Sequence, residues 1–219
     1  TSVGEDTSVA EATGDPIQEN RAPGAPVISL GPTDATTVDD LIVAIVADAT
    51  DPDGDAVTYI YKWLLDGLLM EASEPTLLAA DTTKGETWQV MVLASDGELE
   101  SEPAQASVTI LNTPPVVTLI LENESPFTLD DLVAVASVED ADADTPELTW
   151  SWTVDGTATS QEEDTVAFSE TTKGEEWEVY LTVSDGETEV TADSIAVEVL
   201  NTMPMVADVV LAPQDPTET

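Results

Sequence analysis

The chain contains no cysteine and no histidine, and only four of its 219 residues are Lys or Arg. Each absence excludes a class of chemistry. Without His or Cys there is no Ser-His-Asp triad, no thiol nucleophile, no zinc centre of the usual kind and no disulfide framework. Nucleic acid is excluded as a partner, because its binding needs basic side chains to release counterions. An anionic membrane surface is excluded on the same ground. No apolar run approaches the ~20 residues of a membrane span, so membrane insertion is not expected.

Acidic residues are what the sequence has in abundance. Asp and Glu number 46, for a formal net charge of -42. A pI near 4.1 leaves cations, basic proteins or neutral sugars as ligands. Hydrophobic residues make up 42% of the chain, enough for a core and more than a highly charged disordered chain carries. The chain starts at Thr1 without Met or signal peptide, as expected of a mature or excised piece.

The chain repeats itself. Trp63-Leu64-Leu65-Asp66-Gly67 returns as Trp152-Thr153-Val154-Asp155-Gly156, an offset of 89 residues. Thr82-Thr83-Lys84-Gly85-Glu86 returns as Thr171-Thr172-Lys173-Gly174-Glu175, Trp88 as Trp177, Ser95-Asp96-Gly97 as Ser184-Asp185-Gly186, and Asn112-Thr113 as Asn201-Thr202. The reading is an acidic Ser/Thr-rich arm over 1–24, repeats over 25–112 and 113–201, and the start of a third repeat or a donor strand over 202–219. Asn112-Thr113-Pro114-Pro115 reads as a short stiff link, with modules end to end.

Within each repeat the apolar period is two. Tyr59, Tyr61 and Trp63 alternate with polar or outward positions, as do Trp150, Trp152 and Val154. Trp88, Val90, Val92 and Ala94 match Trp177, Val179, Leu181 and Val183. This is the mark of half-buried strands. The continuous run Leu41-Ile42-Val43-Ala44-Ile45-Val46 suits a central strand. Asp-Gly pairs at 66–67, 96–97, 155–156 and 185–186 supply turns. An all-β fold of two tandem antiparallel β-sandwiches, with extended tails, is expected.

On Asp51-Pro52-Asp53-Gly54-Asp55, Trp63 with Asp66-Gly67, Lys84-Gly85-Glu86-Thr87-Trp88 and Ser95-Asp96-Gly97, the chain resembles the immunoglobulin-like, PKD/cadherin-like repeats of large bacterial surface proteins. The resemblance places Trp63 and Trp152 on strand C. It puts Val43 with Val90, and Ala134 with Val179, where a disulfide would stand. It implies a non-enzymatic, extracellular, cell-surface protein forming a fibre, filament or adhesin stalk. Its partners would be other copies of itself or adjacent repeats, joined by strand donation. The alternative is a calcium-dependent adhesion module for a sugar or protein ligand, with Tyr180 as the outward aromatic to test.

Acidic residues crowd two kinds of loop. Asp48, Asp51, Asp53 and Asp55 precede strand C of the first repeat, and Asp140, Asp142 and Asp144 do so in the second. Alternating carboxylates on a loop suit calcium, a hard cation that takes six to eight oxygen ligands. In an immunoglobulin-like sandwich the B–C and F–G loops share an end. Asp96 and Glu98 would then join the first cluster, and Asp185 and Glu187 the second, so that calcium stiffens the joints.

The repeats differ on one face. Ile60, Leu64, Met91 and Leu93 stand where the second repeat has Thr149, Thr153, Tyr180 and Thr182, and Leu68, Leu69 and Met70 follow. Such an apolar patch is expected to make an interface. Val206, Val209 and Leu211 are expected to form the donor strand.

Overall fold

The computed structural model describes residues 19–205. The calls on Val206, Val209 and Leu211 lie outside them. The chain divides into two units between Leu111 and Asn112. No helix among the described residues is long and apolar enough to cross a membrane.

Unit 1 has β1 (Val27–Gly31), β2 (Leu41–Ala47), β3 (Thr58–Leu65), β4 (Leu68–Leu69), β5 (Thr76–Leu77), β6 (Thr87–Ser95) and β7 (Ala104–Thr109). Two antiparallel sheets form, in the orders β1-β2-β5 and β4-β3-β6-β7. Unit 2 repeats the plan with β8 (Val116–Leu121), β9 (Leu132–Glu139), β10 (Glu147–Val154), β11 (Thr157–Ala158), β12 (Thr165–Val166), β13 (Glu176–Ser184), β14 (Glu189–Thr191) and β15 (Ile195–Glu198). Its sheets are β12-β9-β8 and β11-β10-β13, with both β14 and β15 paired to β13. Each unit is an immunoglobulin-like β-sandwich.

The alternating residues meet between the sheets. Leu41 and Val43 from β2 face Trp63 from β3 and Trp88, Val90 and Val92 from β6. Leu132 and Ala134 face Trp152, Trp177 and Val179 in the same way. The two tryptophans of each unit make an edge contact, with ring centroids 6.4 Å apart in unit 1 and 6.5 Å in unit 2. Apolar contacts therefore fill the position of the missing disulfide. Burying an indole requires a hydrogen-bond acceptor. Trp63 and Trp152 donate to the Glu74 and Glu163 carbonyls, each at 2.9 Å. Trp88 and Trp177 donate to the carboxylates of Glu86 and Glu175 at 2.9 and 3.0 Å. Those carboxylates also accept the Thr83 and Thr172 N–H groups, which explains why the Thr-Thr-Lys-Gly-Glu motif recurs whole.

The Asp66-Gly67 and Asp155-Gly156 turns have positive φ at both residues, as a two-residue hairpin turn of the right twist requires. The continuous apolar run departs from its expected surroundings. Strand β2 is central in its sheet, but only one of its faces is covered, and Ile42 and Val46 are 54% and 64% exposed. A three-stranded sheet with a partner on one side buries alternate residues only.

Candidate cation-binding loops

The loops before β3 and β10 are built alike. Asp51 Oδ1 accepts the N–H groups of Asp53 (2.7 Å) and Asp55 (3.3 Å). Asp140 Oδ1 accepts those of Asp142 (2.8 Å) and Asp144 (3.2 Å). Each first aspartate thus organises the loop that carries the next two. The turn needs a left-handed residue. Gly54 supplies it with φ of 86°, and Ala143 adopts the same region at 59°. The loop closes without its glycine at a cost of roughly 1–2 kcal/mol in backbone strain.

The segment leading into each unit crosses these loops. In unit 1 the Asn20 amide donates to Asp96 Oδ2 at 3.1 Å and to Glu98 Oε2 at 3.5 Å, while the Arg21 N–H donates to Asp53 Oδ2 at 2.8 Å. In unit 2 the Asn112 amide donates to Asp185 Oδ2 and Thr188 Oγ1, both at 2.7 Å, while the Thr113 N–H donates to Asp142 Oδ2 at 2.7 Å. The same clamp therefore forms twice: an asparagine on the F–G aspartate, and the next backbone N–H on the B–C aspartate. Residues 19–24, part of the arm expected from composition, are held against unit 1, and Gly24 N–H also donates to the Thr50 carbonyl at 3.0 Å.

These donors set the charges. The N–H of Thr188, then the Asn112 amide, hold Asp185 well below the ordinary 3.8. The N–H groups of Leu99 and Glu98 lower Asp96, with a smaller contribution from Asn20. Hydrogen bonding to Asp53, then the charges of Asp53 and Asp51, raise Arg21 above its ordinary value.

The expected ligands are not equally placed. Asp140, Asp142 and Asp144 bring one oxygen each within 4.8 Å of one another, a trio found nowhere else among the described residues. Asp140 Oδ2 is buried and has no hydrogen-bond partner, and so is Asp51 Oδ2. Asp185 and Glu187 stand outside the trio; Asp185 is engaged by the lead-in asparagine and by the Glu187 N–H at 2.7 Å. In unit 1 Asp53, Asp55, Asp96, Glu98 and Asn20 line a cleft of about 390 Å³. Asp48 turns elsewhere and accepts the Tyr59 hydroxyl at 3.1 Å. A hard cation with oxygen ligands fits the unit 2 trio, because every donor is a carboxylate and one buried oxygen lacks a partner.

The expected interface residues also divide. Leu68 and Leu69 are exposed at 72% and 68%, and Met70 is exposed. Ile60, Leu64 and Met91 are half-buried. Leu93 is buried, contrary to expectation. It pairs with Ile60 across β3 and β6, next to Ala94, where the returning chain bonds through Ser101, and the Lys62–Glu100 ion pair at 3.6 Å crosses that face. Tyr180 donates its hydroxyl to Glu178 at 2.5 Å.

Asn20, Arg21 and Thr188 were not legible as site residues. The Asn-Thr pair at 112–113 was visible only as a link. Its counterpart at 20–21 is offset by three further residues from the common proline, which hides it from a strict repeat comparison.

Neither a family model nor a curated protein matches this sequence. Solved structures do. The three N-terminal domains of the bacteriophage RB49 highly immunogenic outer capsid protein match with 19% identity and a TM-score of 0.31, over 81% of this chain and 59% of that one. A segment of two fibronectin type III domains from chicken tenascin matches with 15% identity and a TM-score of 0.37, over 83% of this chain and all of that one. Both of these structures consist of several domains in tandem.

Proposed function

We propose that this chain is a non-enzymatic structural segment of an extracellular assembly, a stalk or fibre of tandem modules, and that calcium is the ion its acidic loops take. The observation that carries the reading is the repeated clamp. In both units the B–C and F–G carboxylates grip the segment that leads into the module. A chain gripped at its point of arrival has few free dihedrals, and a spacer needs that stiffness.

The ends of each unit are held within that unit. Leu111 N–H donates to the Ala35 carbonyl of unit 1 at 2.7 Å, and the next residue, Asn112, is bonded inside unit 2. The acidic surface keeps such segments from clumping. Other copies of the chain, or adjacent repeats, are the partners in this reading, and exposed Leu68, Leu69 and Met70 are available to them. Sugar binding draws no support from Tyr180, whose hydroxyl is taken by Glu178.

Electron microscopy and small-angle scattering of the purified chain, in calcium and in chelator, test the proposal. Extended two-lobed rods or regular filaments, stiffer in calcium, are expected. A scattering profile of freely jointed modules, the same in both conditions, would refute it.

A further inference from the structure

Asp51 and Asp140 occupy corresponding loop positions, and each keeps Oδ2 buried and without a hydrogen-bond partner. A carboxylate oxygen kept from any donor is costly, and a positive charge nearby offsets that cost. The two units differ in the charge that stands on the neighbouring aspartate of the same loop.

In unit 1 the charge is part of the chain. The Arg21 guanidinium reaches Asp53 Oδ1 from Nη2 at 2.7 Å and from Nε at 3.0 Å, and donates to the Pro52 carbonyl at 2.7 Å. The guanidinium bonds Asp53 and Pro52 and makes no hydrogen bond to Asp51, whose Oδ2 keeps no hydrogen-bond partner. In unit 2 the corresponding residue is Thr113. Its N–H makes the same bond to Asp142, but its side chain brings no charge. The one basic residue from 112 onward is Lys173. It precedes β13, whereas the acidic loops lie beyond the other end of that strand, and nine extended residues span about 30 Å. Unit 2 also holds the only trio of carboxylates among the described residues close enough to share an ion.

We propose that Arg21 is a built-in counter-cation that fills the acidic loop of unit 1, so that a free divalent ion binds at Asp140, Asp142 and Asp144 of unit 2 and not at the equivalent loop of unit 1. The inference rests on the calcium reading above and narrows it to one unit. A calcium ion entering unit 1 has to displace a guanidinium held by three hydrogen bonds, or sit beside its charge. In unit 2 the corresponding position is Thr113, which places a backbone N–H on Asp142 and carries no side-chain charge. Extracellular loop sites of this kind bind at about 0.1–1 mM.

The test is a calcium chloride titration of the full chain followed by amide NMR. Three proteins are compared: wild type, Arg21→Thr and Thr113→Arg. In the wild type the Ala143 and Asp144 signals are expected to shift saturably, while Gly54 and Asp55 stay still. Arg21→Thr is expected to give Gly54 and Asp55 a saturable shift of their own. Thr113→Arg is expected to weaken the Ala143 response about tenfold or more, as a tethered charge does to a nearby cation. Equal responses from both loops in the wild type, or a silent unit 1 in Arg21→Thr, overturn the Arg21 assignment and leave calcium binding in unit 2 standing. Silence from both loops in the wild type and in Arg21→Thr overturns the calcium reading itself. Thr113→Arg keeps the test decisive if Arg21→Thr perturbs unit 1, because it changes unit 2 alone, and an Ala143 response as strong as in the wild type overturns the Arg21 assignment.

Discussion

Gly54 and Ala143 occupy the same loop position in the two units, with φ of 86° and 59°. The hydrogen bonds around them agree within 0.1 Å, from 2.7 and 3.3 Å in unit 1 to 2.8 and 3.2 Å in unit 2. Unit 2 lacks the residue that makes this turn easy and makes the same turn. The organising aspartate outweighs the strain of the alanine. The lead-in clamp teaches the same lesson. Asn20 and Asn112 make equivalent bonds, although three more residues separate Asn20 from its strand. What varies is the charge placed on this frame, arginine in one unit and threonine in the other.

The largest effect that probes this comparison is at the core. Trp63→Ala and Trp152→Ala each remove a fully buried indole and should cost about 3–5 kcal/mol in their own unit. Because each unit has its own core, calorimetry should show one transition lowered and the other kept. Loss of both transitions together would show that the units do not fold separately.

Next come the glutamates beneath the second tryptophans. Glu86→Ala and Glu175→Ala each leave an indole N–H and a backbone N–H without their acceptor. A loss of about 1–3 kcal/mol is expected in each unit, read by urea unfolding. An effect in only one unit would break the equivalence of the motif.

The loop residue gives a smaller effect of opposite sign in the two units. Ala143→Gly should stabilise unit 2 by about 1 kcal/mol through relief of the left-handed alanine, and Gly54→Ala should destabilise unit 1 by a similar amount. Thermal unfolding of both variants checks it. A destabilised Ala143→Gly protein would mean that the alanine is not strained.

The smallest effect is acid sensitivity. Asp185 and Asp96 have folded pKa values below the ordinary 3.8, so their contribution is present above that value and is lost as pH falls through the folded one. Stability should therefore be flat above about pH 5 and decline below about pH 4. Asp185 is lowered the more strongly of the two, so Asp185→Asn should flatten the acid limb of unit 2 more than Asp96→Asn flattens that of unit 1. Both groups are half-buried at the surface, and solvent screening keeps the effect small. Acid titration of the variants by circular dichroism is the measurement.

Much of this was legible in the chain. The tryptophans, the alternating valines and the Asp-Gly turns act over one to a few residues, so their geometry shows in sequence. The aspartates of the B–C loops were legible for the same reason. The apolar outer face was only partly so. Leu68 and Leu69 are exposed, but Leu93 is buried, and Ile42 and Val46 emerge on the uncovered side of their sheet. A run of apolar residues does not say which face has a neighbour.

Sequence alone determined the repeat, the strand pattern and the acidic loops, because these rest on local spacing and on residues close along the chain. Only the tertiary structure decided which carboxylates meet, and with what. The bonds from Asn20 to Asp96 and from Arg21 to Asp53 span 76 and 32 residues. Contacts that distant leave no trace in periodicity, since they depend on how two sheets bring separate loops to one end of a sandwich.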